Sequence, residues 1–442
     1  MDDLLAARSQ MAMSLAFHMI FAVFGMGLPV LVVIAEGLWL RTGDPGWKLL
    51  AQRQAKGTAI LFAVGAVSGT VLSFELGLLW PRFMEAAGPV IGMPFSLEGF
   101  AFFFEAIFLG IWLYGWHRVG RIPHFLAGIG VAVSGAASGA FVVCANAWMN
   151  TPTGFRVAAD GSFVDIDPFG AMFNPSSFGQ ALHMLVAAWL ATGFAAAGVH
   201  AAGLLRARGP ADITFHRRGI AIGLVVGGIA AFAQPLTGHV VGEAVAHWQP
   251  VKLAALEGHW ETTAGAGLTI GGWVDGDAET TTYGVEVPYL LSILATGDPQ
   301  GVVRGLKDFP REDRPPVGLT HWAYQIMLAT AGVSVGTTVL ATGLAIRRRG
   351  LPVDRWFLRW LVVTAPAGMI GIEAGWTATE VGRQPWVVQG YIRTADAVTP
   401  MPGLWAPFLV FTLLYLFLGV VTVSLLNRQF RYGPVEPPGE HA

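Results

Sequence analysis

Residues 11–40, MAMSLAFHMIFAVFGMGLPVLVVIAEGLWL, contain one glutamate, one histidine and no lysine or arginine. A helix needs about 20 mostly apolar residues to cross a bilayer, and this block exceeds that length. Similar blocks recur along the 442 residues, of which 54% are hydrophobic and only 13% are charged. Because a soluble chain carries about 25% charged residues, the composition indicates a membrane protein.

The blocks predict an all-α integral membrane protein, a bundle of about nine transmembrane helices with one long outward-facing loop. The predicted spans are about 13–39, 57–80, 96–117, 123–148, 178–205, 218–240, 320–346, 357–380 and 403–427. We therefore divide the chain into residues 1–240 with six helices, the loop 241–319, and residues 320–442 with three helices and a tail. Within that tail, Pro434–Pro438 is expected to be disordered.

The basic residues predict the orientation of the bundle. One set of connections holds 17 of the 27 lysines and arginines. This side is expected to be cytoplasmic, so the amino terminus lies outside and the carboxyl terminus inside a bacterial cytoplasmic membrane. The acidic start Met1-Asp2-Asp3 does not match a cleavable signal peptide.

Composition also excludes several classes of function. A net charge of −2 gives no reason to expect a nucleic-acid partner. The single cysteine, Cys144, excludes an internal disulfide and a cysteine-ligated iron–sulfur cluster.

Polar side chains at membrane depth are costly and by default indicate function. In the predicted orientation, five of them on five different helices lie near the outer face: His18, Glu98, His183, Met327 and Glu373. Each one taken alone is also compatible with hydrogen-bonded packing. Together they match the ligands of haem iron, and a His/Met pair raises its reduction potential. We therefore expect His183 and Met327 to bind a six-coordinate, low-spin haem.

The buried glutamates show a regular spacing. Glu98 and Glu105 are seven residues apart, as are Glu373 and Glu380, so each pair lies on one helix face about 10 Å apart. One interpretation is that these carboxyls are protonated and bond to neighbouring helices. The other assigns a ligand to the shallow position and a proton carrier to the deeper one, with Ser138 extending the polar track.

Several motifs carry a resemblance to a known family. They are Leu97-Glu-Gly-Phe with Phe104-Glu105, Asn146-Ala-Trp-Met149, Lys252-Leu-Ala-Ala-Leu-Glu257 with Trp260-Glu-Thr, Glu373-Ala-Gly-Trp376, Gly382-Arg-Gln-Pro-Trp386 and Arg393-Thr-Ala-Asp396. In this order the chain resembles subunit I of the cytochrome bd-type quinol:oxygen oxidases, specifically the short-loop, cyanide-insensitive-like branch.

The resemblance implies a set of haem ligands. His18 corresponds to the axial ligand of one high-spin haem and Glu373 to that of its neighbour. Glu98 lies beside this pair as ligand or proton donor, and the assignment of ligands to the two haems stays open. His183 and Met327 correspond to the ligands of the low-spin haem b. The remaining haem-pocket residues are expected to be Arg383 and Trp376.

The same resemblance implies a substrate site and a proton path. Lys252 and Glu257 correspond to residues that bind quinol, and Glu105 and Ser138 to a path from the cytoplasm. The implied cofactors are a low-spin haem b, a high-spin haem b, and haem d or a further haem b in its place. The implied partners are quinol, O₂, the lipid bilayer and a second membrane subunit, with a small single-span subunit as an additional candidate. The implied reaction is electrogenic without pumping.

Two residues depart from the family pattern. Gln325 stands where an arginine is usual, two residues before the methionine ligand, and Met369 replaces a tryptophan four residues before Glu373. These departures favour one alternative, a haem-containing electron-transfer or gas-sensing relative without oxidase turnover. A second alternative is an ion-coupled transporter that uses the buried glutamates.

Overall fold

The computed structural model describes residues 2–432. The fourteen helices in this range are α1 (Asp3–Thr42), α2 (Pro45–Leu79), α3 (Pro81–Tyr114), α4 (Arg121–Asn150), α5 (Pro168–Met172), α6 (Ser177–Leu204), α7 (Pro210–Trp248), α8 (Pro250–Glu257), α9 (Leu290–Thr296), α10 (Val317–Arg348), α11 (Arg355–Thr364), α12 (Ala367–Val381), α13 (Thr394–Ala397) and α14 (Trp405–Tyr432). The predicted disordered stretch Pro434–Pro438 lies outside the described residues.

Short antiparallel pairs of strands occur between the helices. The pairs are β1 (Arg156–Val157) with β2 (Phe163–Val164), β3 (Thr263–Ala264) with β8 (Val302–Val303), β4 (Leu268–Ile270) with β7 (Val285–Val287), β5 (Trp273–Asp275) with β6 (Thr280–Thr282), and β9 (Trp386–Val388) with β10 (Ile392–Arg393). Two 3₁₀ turns, Leu306–Asp308 and Arg311–Asp313, precede α10.

The predicted all-α membrane bundle is confirmed. Within residues 2–432, nine helical segments are long and apolar enough to cross a membrane. The eighth of them contains two helices, α11 and α12, which are separated at Ala365 and Pro366. Most helices extend beyond their predicted bounds, because their ends carry polar residues that an apolar-block criterion omits; α1, for example, runs from Asp3 to Thr42.

The helices α6 and α7 approach each other at backbone distance. A Cβ atom added at Gly193 would lie 2.4 Å from the backbone nitrogen of Gly227 and 2.8 Å from the carbonyl oxygen of Gly223. Small residues at such positions let two membrane helices approach at backbone distance. This contact sets the spacing of the two helices around His183.

Residues 249–316 form a folded unit between α7 and α10. The unit contains α8, α9 and the strand pairs β3–β8, β4–β7 and β5–β6. Its apolar residues Leu253, Ala266, Leu291 and Val303 pack together with Val245 at the end of α7. The unit is therefore fixed to the helix bundle through its own small core.

A buried polar cluster joins α1, α3 and α4 at the opposite end of the bundle. Both Glu36 and Trp112 are fully buried, and His124 is 2% exposed. The Nδ1 atom of His124 lies 2.6 Å from Glu36 Oε1, and Trp112 Nε1 donates to Glu36 Oε2 at 2.7 Å. The second ring nitrogen of His124 lies 2.8 Å from the Trp112 carbonyl oxygen. Three helices are thus connected by one carboxylate.

We expect His124→Ala to destabilise the bundle. Removal of the imidazole leaves one oxygen of the buried Glu36 carboxyl without its hydrogen-bond partner, which costs about 1–3 kcal/mol. The exposed His117 lies nearby in sequence, so His117→Ala is the matched control. Thermal unfolding in detergent measures the difference. Equal unfolding midpoints for the two variants would contradict a stabilising role for the cluster.

Candidate functional site

His18 on α1 is oriented by a neighbouring helix. Its Nδ1 atom lies 3.0 Å from the hydroxyl oxygen of Ser68 on α2. A Cβ atom at Gly69 would meet His18 Cε1 at 3.0 Å, so the glycine makes room for the ring. Metal-binding histidines commonly use one ring nitrogen for such an outer hydrogen bond and the other for the metal. The arrangement engages Nδ1 and leaves Nε2 as the ring nitrogen that could bind a metal.

His183 on α6 has an equivalent environment on α7. Its Nδ1 atom lies 3.0 Å from the Thr237 hydroxyl oxygen, and the Gln234 amide nitrogen lies within 3.2 Å of both ring nitrogens. Gly238 borders the ring, since an added Cβ would lie 3.3 Å from Cε1. One helix thus supplies both the hydrogen bond and the space that fix the orientation of the imidazole.

Met327 lies where α10 packs on α12. A Cβ atom added at Gly375 would approach the Met327 sulfur to 2.8 Å, and one at Gly371 would approach the Thr330 hydroxyl to 2.5 Å. The two glycines are one turn apart and give α12 a flat face toward α10. The position of the Met327 thioether is therefore set by the backbone of α12 and not by a flexible side chain.

Buried polar atoms without partners mark a binding site beside Met327. Among the described residues, Glu373 Oε1, Trp376 Nε1, and Nε and Nη1 of Arg383 are buried and make no hydrogen bond. Such groups are costly unless something satisfies them. A carboxylate ligand for iron and two donors for propionates fit a haem.

No described group of three or more His, Cys, Asp or Glu could hold a bare metal ion. Single ligands on separate helices suit an iron whose other ligands come from a macrocycle.

The predicted proton-path residues lie between α1, α3 and α4. Ser138 donates to Glu98 Oε1 at 3.3 Å, so the structure brings these two residues together. Glu105 is 5% exposed, and its carboxyl group lies against the backbone positions Gly25 and Gly135. A polar track thus runs along the shared face of Glu98 and Glu105.

Lys252 on α8 belongs to a buried polar network. Its ammonium donates to Asn150 Oδ1 on α4, and its side chain packs against Gly382 beside Arg383. Arg383 bonds to Glu380, which also accepts from Asn146. Burial lowers the pKa of Lys252 to about 7; the positive charge of Arg383 contributes and the negative charge of Glu380 opposes the shift. Arg383 therefore takes part in this network, and its Nε and Nη1 atoms have no partner in the described chain.

Glu257 ends α8 and is 2% exposed. Burial raises the pKa of its carboxyl to about 7, while hydrogen bonding from Tyr324 and from the backbone of Thr269 opposes this shift. Its Oε2 atom is buried and has no partner in the described part of the chain. The carboxyl is thus available to accept a proton near neutral pH.

The two departures from the family pattern have defined environments. Gln325 donates to the Thr269 carbonyl at 3.0 Å and accepts from the Gly271 amide at 3.0 Å, so it connects α10 to the β4 strand. Met369 packs against an apolar cluster that includes Val23 and Ala188. The first departure replaces a charge by two hydrogen bonds, and the second keeps an apolar contact between helices.

Sequence reasoning missed several residues of the site. Asn150 contacts Lys252, and Tyr324 contacts Glu257. His321 lies at hydrogen-bond distance from the carbonyl oxygens of Leu256 and Gly271. Glu75 accepts a hydrogen bond from Gln10 at 2.9 Å. This carboxyl belongs to a further buried polar cluster near His18. Asn150 follows Asn146 by one helical turn, and this spacing was the available signal.

Comparison with known proteins decides the family. The family model described as cytochrome bd terminal oxidase subunit I matches residues 6–434 of this chain. The chain belongs to this family. It is 36% identical over 440 residues to the putative cytochrome bd menaquinol oxidase subunit I of Bacillus subtilis, covering 99% of this chain and 98% of the relative. It is 32% identical over 449 residues to the cytochrome bd ubiquinol oxidase subunit 1 of the same organism, covering 98% and 94%.

A solved structure gives the same result. The bd oxidase from Geobacillus thermodenitrificans matches with a TM-score of 0.91 at 38% identity, covering 98% of this chain and 99% of that chain. The predicted family and enzyme class are therefore confirmed: this is a multi-pass membrane subunit of a haem-containing terminal oxidase that works with a second subunit. This membership decides against the ion-coupled transporter.

We expect Gly375→Ala to disturb the low-spin haem. The added methyl group would lie 2.8 Å from the Met327 sulfur, so the thioether must move away from its place. A reduced-minus-oxidised absorption spectrum of the purified oxidase should show the low-spin band shifted or lost, as Met327→Ala should also do. At Gly336 on α10 an added Cβ meets nothing within 4 Å. Gly336→Ala should therefore keep the native spectrum; an unchanged band in Gly375→Ala would argue against Met327 as a ligand.

Proposed function

We propose that this bd oxidase subunit oxidises quinol at the α8 site and holds three haems that reduce O₂ to water. The observation that carries the proposal is the location of α8. Lys252 packs against Gly382, which follows α12 directly and precedes Arg383. Glu257 accepts a hydrogen bond from Tyr324 on α10, the helix that carries Met327. A substrate at α8 would therefore lie next to the low-spin haem.

The names of relatives support a quinol as the substrate. One Bacillus subtilis relative is named a menaquinol oxidase subunit, and another is named a ubiquinol oxidase subunit. The cytochrome bd-II ubiquinol oxidase subunit 1 of Escherichia coli is 27% identical over 498 residues, covering 97% of this chain and 96% of the relative. These names agree on the reaction class and differ in the quinone.

Quinol oxidation requires one group to accept a proton and another to orient the oxygen. Glu257 suits the first role because burial brings its pKa to about 7. Lys252 suits the second role, since its ammonium is buried and already directed at a polar acceptor. Both groups change charge near neutral pH, which is where a proton-transfer group is most effective.

The haem assignment follows the donor set. His183 and Met327 would hold the low-spin haem b, while His18 and Glu373 would hold a high-spin haem b and a haem d (or a further haem b). The haems supply one-electron transfer and O₂ reduction. Trp376 and Arg383 supply donors for propionates, which their buried atoms without partners support.

Protons for water formation would enter along the track of Glu105, Ser138 and Glu98. Glu98 is bonded to Ser138, and Glu105 lies two turns deeper on the same helix face. The distribution of basic residues supports a cytoplasmic entry and an outward quinol site. Proton release outside and uptake inside make the reaction electrogenic without pumping. The second membrane subunit, and a small single-span subunit, would complete the complex.

We expect the pH profile to report Glu257. The carboxylate accepts the quinol proton only when ionised, so kcat/KM should fall as the pH drops below about 7. Lys252 loses its proton above a pH of about 7, so kcat/KM should also fall on the alkaline side. Glu257→Gln should lower kcat/KM by about 10²-fold or more and remove the acidic limb. Glu261 belongs to the same unit but is exposed. Glu261→Gln should therefore keep the native kcat/KM and the acidic limb. A Glu257→Gln enzyme with the native acidic limb would exclude Glu257 as the base.

We expect Glu105→Gln to slow oxygen reduction while haem reduction by quinol stays normal. The amide cannot carry a proton, so proton delivery should slow by about tenfold or more. An oxygen electrode measures turnover, and rapid mixing with a quinol analogue measures haem reduction. Glu85→Gln, at an exposed position on the same helix, is the control. Native oxygen uptake by Glu105→Gln would show that Glu105 only packs.

A further inference from the structure

His321 lies in the first turns of α10, beside the proposed quinol site, and is completely buried. Its Nδ1 atom lies 2.7 Å from the Leu256 carbonyl oxygen, and its Nε2 atom lies 2.9 Å from the Gly271 carbonyl oxygen. Both ring nitrogens thus face backbone oxygens at hydrogen-bond distance. The histidine connects the end of α8 to the turn that follows β4.

These two contacts favour a ring that carries a proton on each nitrogen. A carbonyl oxygen only accepts hydrogen bonds, whereas a neutral imidazole carries a single N–H donor. A neutral His321 would direct one nitrogen lone pair at a carbonyl oxygen less than 3 Å away, with no room for a bridging water. A doubly protonated ring donates to both oxygens and forms two charge-assisted hydrogen bonds.

The surroundings also favour a positive charge at this place. Leu256 belongs to the last turn of α8, where exposed carbonyl groups give the helix end a partial negative charge. The titratable residues next to these contacts are Glu257, which follows Leu256 in the chain, and Tyr324 on α10, which hydrogen-bonds to Glu257. Strand β4 and the Gly271 turn contribute none before Asp275. Glu257, the residue after Leu256, is the available counter-charge.

We propose that His321 is a fixed imidazolium that acts as a positioning residue for quinol oxidation. Its charge holds the end of α8 and stabilises the ionised form of Glu257. Gln325, one turn further along the same helix, bonds to the same β4 region but is neutral. His321 therefore supplies the positive charge of this helix face. The role in quinol oxidation rests on the proposed function, whereas the charge state does not.

The buried His124 offers an internal comparison. Its two nitrogens lie 2.6 Å from the Glu36 carboxylate and 2.8 Å from the Trp112 carbonyl oxygen, which are again two acceptors. His200, in contrast, faces His216 at 3.1 Å through Nδ1, and one neutral ring can donate to the other there. We expect two buried imidazolium rings, one near each end of the bundle.

Nitrogen NMR of the intact oxidase labelled with ¹⁵N-histidine tests the charge. At pH 8.5 an exposed imidazole is neutral, so the imidazolium signals that remain come from buried rings. His321→Gln should remove one such signal, and His124→Gln should remove another. If His321→Gln fails to fold, the His124→Gln spectrum decides, because one imidazolium signal must remain in it. Loss of a neutral signal in His321→Gln, or no remaining imidazolium in His124→Gln, would overturn the proposal.

Steady-state kinetics with a soluble quinol analogue tests the role. His321→Gln should raise KM for quinol by about tenfold, the effect of losing one charge-assisted hydrogen bond. His321→Lys restores the charge and should recover most of this loss, while His124→Gln should leave KM unchanged. Equal KM values for His321→Gln and the native enzyme, or no recovery in His321→Lys, would overturn the positioning role. If Glu257→Gln oxidises quinol normally, the proposed quinol site fails, and the NMR result still reports the charge of His321.

Discussion

A polar group at membrane depth must find its partner inside the protein, because lipid offers none. Some buried charges of the described chain obey that constraint internally: Glu36 bonds to His124 and Trp112, and Lys252 bonds to Asn150. Other buried polar atoms have no partner in the described chain, and those of Glu373, Trp376 and Arg383 occur together on and just after α12. Their concentration on one helix supports the proposed haem pocket there.

Much of this organisation is predictable from the amino-acid sequence. Apolar blocks give the number of helices because bilayer thickness imposes a length, and depth along each helix selects His18, His183 and Met327 as candidate ligands. The pairing between helices is not predictable in this way. Glu36 and His124 are 88 residues apart, and helical periodicity does not report which faces meet. The fold of residues 249–316 was missed for a related reason: its strands have two or three residues each, too short to give an alternating pattern.

The substitution of glutamine for arginine at position 325 illustrates how a neutral residue can keep a connection. The amide reaches both the carbonyl of Thr269 and the N–H of Gly271, which an arginine cannot do because it has no acceptor. The strand β4 is thus bound to the helix that carries Met327, two residues further on. At Gln325, residues 249–316 are thus joined to α10 by two neutral hydrogen bonds.

The backbone contact between Gly193 and Gly227 has a consequence for electron transfer. Helices that touch at backbone distance are stiff, and His183 with its partners Thr237 and Gln234 is built on this pair. Sites on rigid helices keep their geometry better than sites on loops. An imidazole held in this way would shift little when an iron bound to it gained or lost an electron. A redox centre at His183 would accordingly have a small reorganisation energy, which favours rapid electron exchange.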